Sequence, residues 1–257
     1  MQHLANPAQY GLIGYPLGHS FSQRYFTEKF SRDGITGARY DLFPLPDIAG
    51  LPALVGAHPD LCGLNVTIPH KVTAIRYLHE LDETAQAVGA VNTIRIRNGR
   101  LTGFNTDATG FEQSLSPWLV GREPGLVAGR IRALILGTGG ASRAIAFALR
   151  RLGIDFTFVS RHPGAQNHLS YEKLHTLTAL DYTLIVNTTP LGMYPEQHTC
   201  PDLPFSLLDH RHFVYDLVYN PAETLLLQRS KARGAAVKNG LEMLHLQAEA
   251  AWAIWQD

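Results

Sequence analysis

The chain has 257 residues, enough to bury two modest cores, so two domains are expected. Its 22 lysines and arginines balance 22 aspartates and glutamates, which removes the electrostatic case for nucleic acid or an anionic lipid surface as the main partner. Cys62 and Cys200 form no CxxC pair, the first residues lack a signal-peptide pattern, and no apolar run is long enough to span a bilayer; a cytoplasmic protein without disulfides or a cysteine metal site is expected.

Short apolar runs alternate with longer helical patterns, which predicts α/β layering around largely parallel sheets. Tyr10–Tyr15 reads as a first strand, followed by a turn and an amphipathic helix from about Ser22 to Asp33. A strand over Ala38–Phe43 leads to a helix around Ile48–Ala57 and a strand over Leu61–Val66. Pro69 then stands where the first residue of a helix is expected. Val91–Arg97 and Arg100–Asn105 flank Asn98-Gly99, the dipeptide suited to a tight hairpin turn. The stretch Ser114–Gly129, with its Pro, Gly and Trp, reads as a loop and puts the domain break within residues 106–130. Ile131–Leu136 opens a second series, with strands at Phe156–Ser160, Thr183–Asn187, Phe213–Asp216 and Ala235–Lys238. A last helix spans Leu241–Trp255, with Leu244, Ala248, Ala251 and Trp252 at helical spacing.

Between the strand at 131–136 and the helix after it lies Gly137-Thr138-Gly139-Gly140-Ala141-Ser142. A strand, a glycine-rich turn and a helix start are what a dinucleotide's pyrophosphate requires: Gly137 allows the turn, Gly139 lets the phosphates approach, and the helix start offers N–H groups. Ser142 takes the place of a third glycine and is small enough for close packing. An NAD-binding chain would carry Asp or Glu after the next strand; here Ser160, Arg161 and His162 stand there, and Asp155 precedes the strand. Arg161 either pairs with a 2′-phosphate, which favours NADP, or is a solvated surface side chain.

The segment LNVTIPHK, residues 64–71, carries the other chemistry. Asn65 and Thr67 alternate and so share a face. Lys71 falls in the first turn of the helix expected after Pro69, where the helix dipole disfavours a cation and eases proton release to an alcohol; the plain alternative is a surface lysine. Asn92-Thr93 and Asn105-Thr106-Asp107 supply amides and hydroxyls that suit a ligand with several hydroxyl groups. Asp107 either pairs with Lys71 or caps a helix beginning at Ala108, and Ser20 and Ser22 either meet a carboxylate or cap the first helix. The 12 histidines show no HExxH pattern, so no metal is expected.

Taken together, GLIGYPLGHSFS (11–22), GLNVTIPHK (63–71), GAVNT (89–93), GFNTDATGF (103–111), GTGGASRA (137–144), NTTPLGM (187–193), DLVYNPAET (216–224) and NGLEMLHLQA (239–248) resemble the shikimate dehydrogenase family, in the same order. The resemblance implies two α/β domains with a cleft between them. Residues 1–107, completed by the helix 241–257, would bind substrate, and 108–240 would form a Rossmann-like NADP-binding domain. It implies reversible NADPH-dependent reduction of 3-dehydroshikimate to shikimate, with quinate or dual-substrate dehydrogenation, or non-catalytic sensing, as alternatives. Lys71 then matches the acid/base and Asp107 its partner. Ser20, Ser22, Asn65, Thr67, Asn92, Tyr219 and Gln247 match substrate-binding positions. Gly137 to Ser142 and Ser160 to His162 match the cofactor loops, and Leu217, Gly240 and Met243 the nicotinamide pocket. Glu83 matches a further cofactor-side position. SRHPGA holds one arginine where the family commonly has two, which keeps NAD as a weaker alternative. The partners implied are small molecules, in a monomer or homodimer.

Overall fold

The computed structural model describes residues 3–18, 21–122, 131–164, 168–177 and 180–257. The backbone divides into two units, Met1–Thr106 with Ala248–Asp257, and Asp107–Gln247.

In the first unit, strands β1 (His3–Gly14), β2 (Thr36–Pro44), β3 (Leu61–Val66), β4 (Glu80–Leu81), β5 (Thr93–Arg97) and β6 (Arg100–Phe104) form one sheet in the order β2-β1-β3-β5-β6-β4. β1 runs parallel to β2 and β3, whereas β3–β5 and β5–β6 are antiparallel. β4 and β6 are parallel as well, so three of the five pairings are parallel, and the hairpin at Asn98 (φ 50°) and Gly99 (φ 73°) accounts for the antiparallel β5–β6 pair. Alternation along β1 builds two cores. Ala8, Tyr10 and Leu12 face α1 (Phe21–Arg32) and the end of the last helix, with Phe26, Phe30 and Trp252. Ile13 joins Leu61, Leu64 and Val66 against Leu51 of α2 (Leu51–Ala57) and Ala85 of α3 (Glu83–Val88).

Three expectations change here. The helix around Ile48–Ala57 is a 3-10 turn, Ile48–Gly50, running into α2, with proline in the first helical turn. No helix opens at Pro69: the Ile68–Pro69 peptide is cis, turns follow, and the next regular element is a 3-10 helix at Thr73–Tyr77. The stretch expected as a loop from Ser114 is helical, since α4 runs Thr106–Arg122 through Pro117; residues 123–129 lie outside those described. Phe111, Leu115 and Leu119 hold that helix to the core at four-residue spacing.

The second unit holds β7 (Arg132–Leu136), β8 (Asp155–Ser160), β9 (His168–Ser170), β10 (Leu184–Asn187), β11 (Phe213–Asp216) and β12 (Ala236–Asn239), all parallel, in the order β12-β11-β10-β7-β8-β9. Asp155 opens β8 instead of preceding it. Both faces are covered, so the central strands are apolar throughout. Ala133, Ile135, Val186 and Tyr215 pack on α4 and on α5 (Gly140–Arg151). Leu134, Leu136, Ile185 and Val214 pack on α6 (Tyr171–His175) and α7 (Leu225–Ala232). Each fully buried leucine or isoleucine in these layers is worth about 1.5–3 kcal/mol. The helix α8, Leu241–Gln256, starts in this unit and ends in the first. The strand order reverses direction between β7 and β10, and ligands of such sheets gather at the carboxyl ends there.

Candidate active site

In the first unit, three of the polar motifs converge on one buried network. Asn65, at the end of β3, accepts from the Tyr40 hydroxyl at 2.7 Å and donates to the Thr93 hydroxyl at 3.3 Å and the Asn92 carbonyl at 3.4 Å. Asn92 donates to the Thr106 hydroxyl at 2.9 Å and accepts the Thr106 backbone N–H at 2.7 Å. Asn105 donates to the Ala90 carbonyl at 2.9 Å. Burial pushes the Tyr40 phenol well above its ordinary range, which keeps it a neutral donor, and Ser22 hydrogen-bonds to it. Asn65, Asn92, Thr93 and Thr106 are all buried, so each bond replaces one to water that folding removes. Asn65, Asn92, Thr93 and Ser22 are thus brought together; Tyr40, which completes the network, was not among the expected site residues.

The same network decides how α4 begins. Asn92 takes up the N–H of Thr106, so the helix starts there and Asp107 is not a cap before Ala108. Asp107 lies in the first turn, buried, where the helix dipole favours a carboxylate. Ser22 is likewise inside α1, which opens at Phe21, and is no N-cap; Ser20 lies outside the described residues.

Lys71 is half-buried, on a turn whose backbone is pinned on both sides. The His70 N–H reaches the Thr67 carbonyl at 2.9 Å, the Val91 N–H reaches the Lys71 carbonyl at 2.7 Å, and the buried His70 ring meets the Leu45 carbonyl at 2.5 Å. With no helix start at Pro69, the dipole invoked for Lys71 is absent. Thr67 falls one residue beyond β3, its N–H held by the Ile13 carbonyl at 2.9 Å.

In the second unit, Gly137 takes φ 104°, and a Cβ there would stand 2.9 Å from the Thr188 hydroxyl and 3.1 Å from a Thr189 methyl. The glycine turn after β7 therefore lies against the residues after β10, at the switch point. Gly139 precedes α5 with no side chain capping it, and a Cβ there would meet nothing within 4 Å. The N–H groups that every helix leaves without intrahelical partners thus begin at open backbone. Thr138 completes the turn, Gly140 and Ala141 open α5, and the Ser142 hydroxyl folds back to the Gly139 carbonyl at 2.7 Å. These residues fit a pyrophosphate: small, uncharged and rich in backbone donors. Ser160 closes β8, with Arg161 and His162 exposed after it, and the His162 N–H reaches the Ser160 hydroxyl at 3.2 Å.

Leu217, Val218 and Gly240 meet at the ends of β11 and β12, where the Leu217 N–H bonds the Asn187 carbonyl at 3.0 Å and the Gly240 N–H the Val218 carbonyl at 3.3 Å. Tyr219 follows, half-buried, and Met243 packs into the core one turn along α8. Gly110 lets α4 approach α8 closely, since a Cβ there would stand 2.8 Å from the Met243 carbonyl and 3.0 Å from the Gln247 Cβ. Gln247 is buried and donates to the Leu244 carbonyl at 2.9 Å. Glu83 belongs to the first unit, where it opens α3, exposed, after the Asp82 cap.

A family model for the shikimate dehydrogenase substrate binding domain matches residues 12–94. The chain is 39% identical over 264 residues to the shikimate dehydrogenase (NADP(+)) of Geobacillus kaustophilus, covering 96% of this chain and 91% of that relative. A chorismate mutase/shikimate 5-dehydrogenase fusion protein from Clostridium acetobutylicum is similar in structure with a TM-score of 0.84 at 35% identity, over 98% of this chain and 92% of that one. Shikimate 5-dehydrogenase from Thermus thermophilus, solved in complex with NADP(H) and shikimate, gives a TM-score of 0.81 at 32% identity, over 96% and 93%. Likeness of this extent takes in the polar network of the first unit and the glycine turn of the second alike, and the chain belongs to the shikimate dehydrogenase family.

Proposed function

We propose that this chain catalyses the reversible NADPH-dependent reduction of 3-dehydroshikimate to shikimate, a step toward the aromatic amino acids. The observation that carries the reading is likeness to NADP-dependent shikimate dehydrogenases along 96% of the chain. When bound, NADPH supplies the hydride. Lys71 holds the proton for the alcohol oxygen formed at the reduced carbonyl, and Asp107 is its partner in orienting that oxygen. Asn65, Thr67, Asn92 and Gln247 orient the ring hydroxyls, while Ser20, Ser22 and Tyr219 receive the carboxylate. Support comes from the Tyr40–Asn65–Asn92–Thr106 network: its amides are held in one orientation by buried partners. Gly137 to Ser142 take the pyrophosphate, Ser160 to His162 the adenosine side, and Leu217, Gly240 and Met243 the nicotinamide; Glu83 is a further cofactor-side position. The substrate domain spans 1–107 with 241–257, and the cofactor domain 108–240. The protein acts in the cytoplasm as a monomer or homodimer.

Initial rates with shikimate and quinate, each with NADP+ and NAD+, test the reading. The highest kcat/KM is expected for shikimate with NADP+. Preference for quinate, or no turnover in any of the four combinations, overturns it. A second measurement addresses the turn itself. Alanine at Gly137 is forced to a φ of 104° and against the Thr188 hydroxyl, a strain of about 1–3 kcal/mol. Gly137→Ala should raise the KM for NADPH by about tenfold or more with little change in the KM for shikimate. An unchanged KM for NADPH removes Gly137 from the cofactor site.

A further inference from the structure

The carboxyl edge of the second sheet is organised around a residue outside the roles above. Asp216, the last residue of β11, is fully buried. One carboxylate oxygen accepts from the Asn187 amide at 2.9 Å and the Val218 N–H at 3.0 Å. The other accepts from the Thr224 hydroxyl at 2.5 Å. Asn187, its cross-strand neighbour on β10, accepts in turn from the Thr189 N–H at 3.0 Å and hydroxyl at 2.7 Å. Asn239, the neighbour on β12, donates to the Ala222 carbonyl at 2.8 Å, and Thr224 caps α7 through the Leu227 N–H. One side chain therefore ties together three segments: the 187–189 turn lying against Gly137, the Leu217–Tyr219 segment that follows it, and the start of α7.

We propose that Asp216 is a positioning residue for the reaction, fixing Leu217 and Tyr219 on one side and Thr188-Thr189 on the other by accepting three hydrogen bonds at once. This rests on the nicotinamide and substrate roles proposed for Leu217 and Tyr219. All three donors are neutral, so the requirement is for acceptor geometry and not for charge. Burial pushes the Asp216 carboxyl up to about 6 against the pull of Thr224, Val218 and Asn187. Among the described residues a titratable neighbour is Cys200, whose thiol burial pushes up to about 11, with Arg229, Asp216 and Asp202 acting on it. Asparagine keeps an acceptor for Val218 and Asn187, and its amide donates to a rotated Thr224 hydroxyl. Alanine leaves all three donors buried without an acceptor.

The test compares Asp216→Asn and Asp216→Ala in the full chain. Asp216→Asn should keep kcat within about threefold of wild type. Asp216→Ala, shown folded by circular dichroism, should lose about 10- to 100-fold in kcat, the scale of a misplaced reacting group, with the KM for NADPH little changed. Stability adds a readout. A carboxyl raised from 3.8 to about 6 contributes stability that is fully present below pH 3.8 and is lost as pH rises through 6. Asp216→Asn should therefore melt above wild type at pH 8 and lose that advantage by pH 4. Wild-type kcat in folded Asp216→Ala overturns the proposal, as does an Asp216→Asn as impaired as the alanine variant. Should Asp216→Ala not fold, Thr224→Ala against Thr224→Ser decides: a severalfold loss of kcat restored by serine supports it, and no loss overturns it. A wild type inactive in all four substrate and cofactor combinations overturns the proposed function itself; an active wild type unaffected by these substitutions overturns the positioning role alone.

Discussion

Replacing Lys71 by alanine should lower kcat by at least ~100-fold, the usual scale for a positioned acid or base, while the melting temperature stays close to that of wild type. The second half of that expectation follows from how the turn is built. The Thr67–His70, Lys71–Val91 and His70–Leu45 hydrogen bonds are made by backbone groups and by His70, none of them by the Lys71 ammonium. Truncation leaves these hydrogen bonds in place and removes the group proposed to exchange the proton. Lys71→Arg should not restore turnover, since a guanidinium keeps its proton throughout the accessible pH range and cannot accept one in the oxidation direction. Steady-state kcat in both directions checks this. Near-normal kcat in the alanine variant would remove Lys71 from the chemistry, whatever its effect on KM.

Much of the fold is legible in the sequence, for identifiable reasons. Strands such as Leu61–Val66 and Phe213–Asp216 end where expected because short apolar runs are bounded by polar or turn residues. The turn at 137–142 was legible because its requirements are local: a strand, small residues and a helix start. What escaped was non-local or masked by a competing local rule. Pro69 satisfies the local rule for opening a helix, but pairing of the preceding residues with β1 and the contacts of His70 hold the chain in a turn instead. Pro117 argues locally for a break. The helix passes through it because Phe111, Leu115 and Leu119 bury the opposite face, while Gln113, whose carbonyl the proline leaves without its helical donor, is exposed to water.

The candidate site divides in the same way. The residue types were visible, and the polar clusters at Asn65, Asn92 and Asn105-Thr106 do converge. Their supports were not, because Tyr40 lies 25 residues from Asn65 and only the folded sheet brings them together. Asp82 and Gly89, which cap the two ends of α3, are a local signal that could have found that short helix. Asp216 sits in a motif that was read for Tyr219 and Leu217; nothing in its own segment discloses that Asn187 and Thr224 converge on it.

The other large effect is expected in the core of the first unit, at Trp255. Its indole is 1% exposed and stacks on Tyr10 at 4.9 Å between centroids, with Phe26 at 5.3 Å and Tyr40 at 6.4 Å. The ring occupies the space that a Cβ on Gly63 would fill, and its N–H donates to the Ile94 carbonyl at 3.0 Å. Arg97 also holds the Trp255 carbonyl, so the end of α8 is fastened to the sheet by packing and by polar contacts together. Trp255→Ala opens a cavity under β1 and β3 and should cost about 3–5 kcal/mol, on the order of 10 °C in the melting of the first unit. The consequence should extend to substrate. Tyr40 stacks on Phe26 at 4.7 Å and hydrogen-bonds Asn65, so loosening this aromatic cluster releases the amide network from beneath. The KM for shikimate should rise severalfold, while the KM for NADPH, whose proposed residues lie mostly in the second unit, stays near the wild-type value. A variant that melts within a degree or two of wild type would show that the aromatic stack does not hold this unit together. Equal increases in both KM values would instead indicate general loosening, with no path from Trp255 through Tyr40 to Asn65.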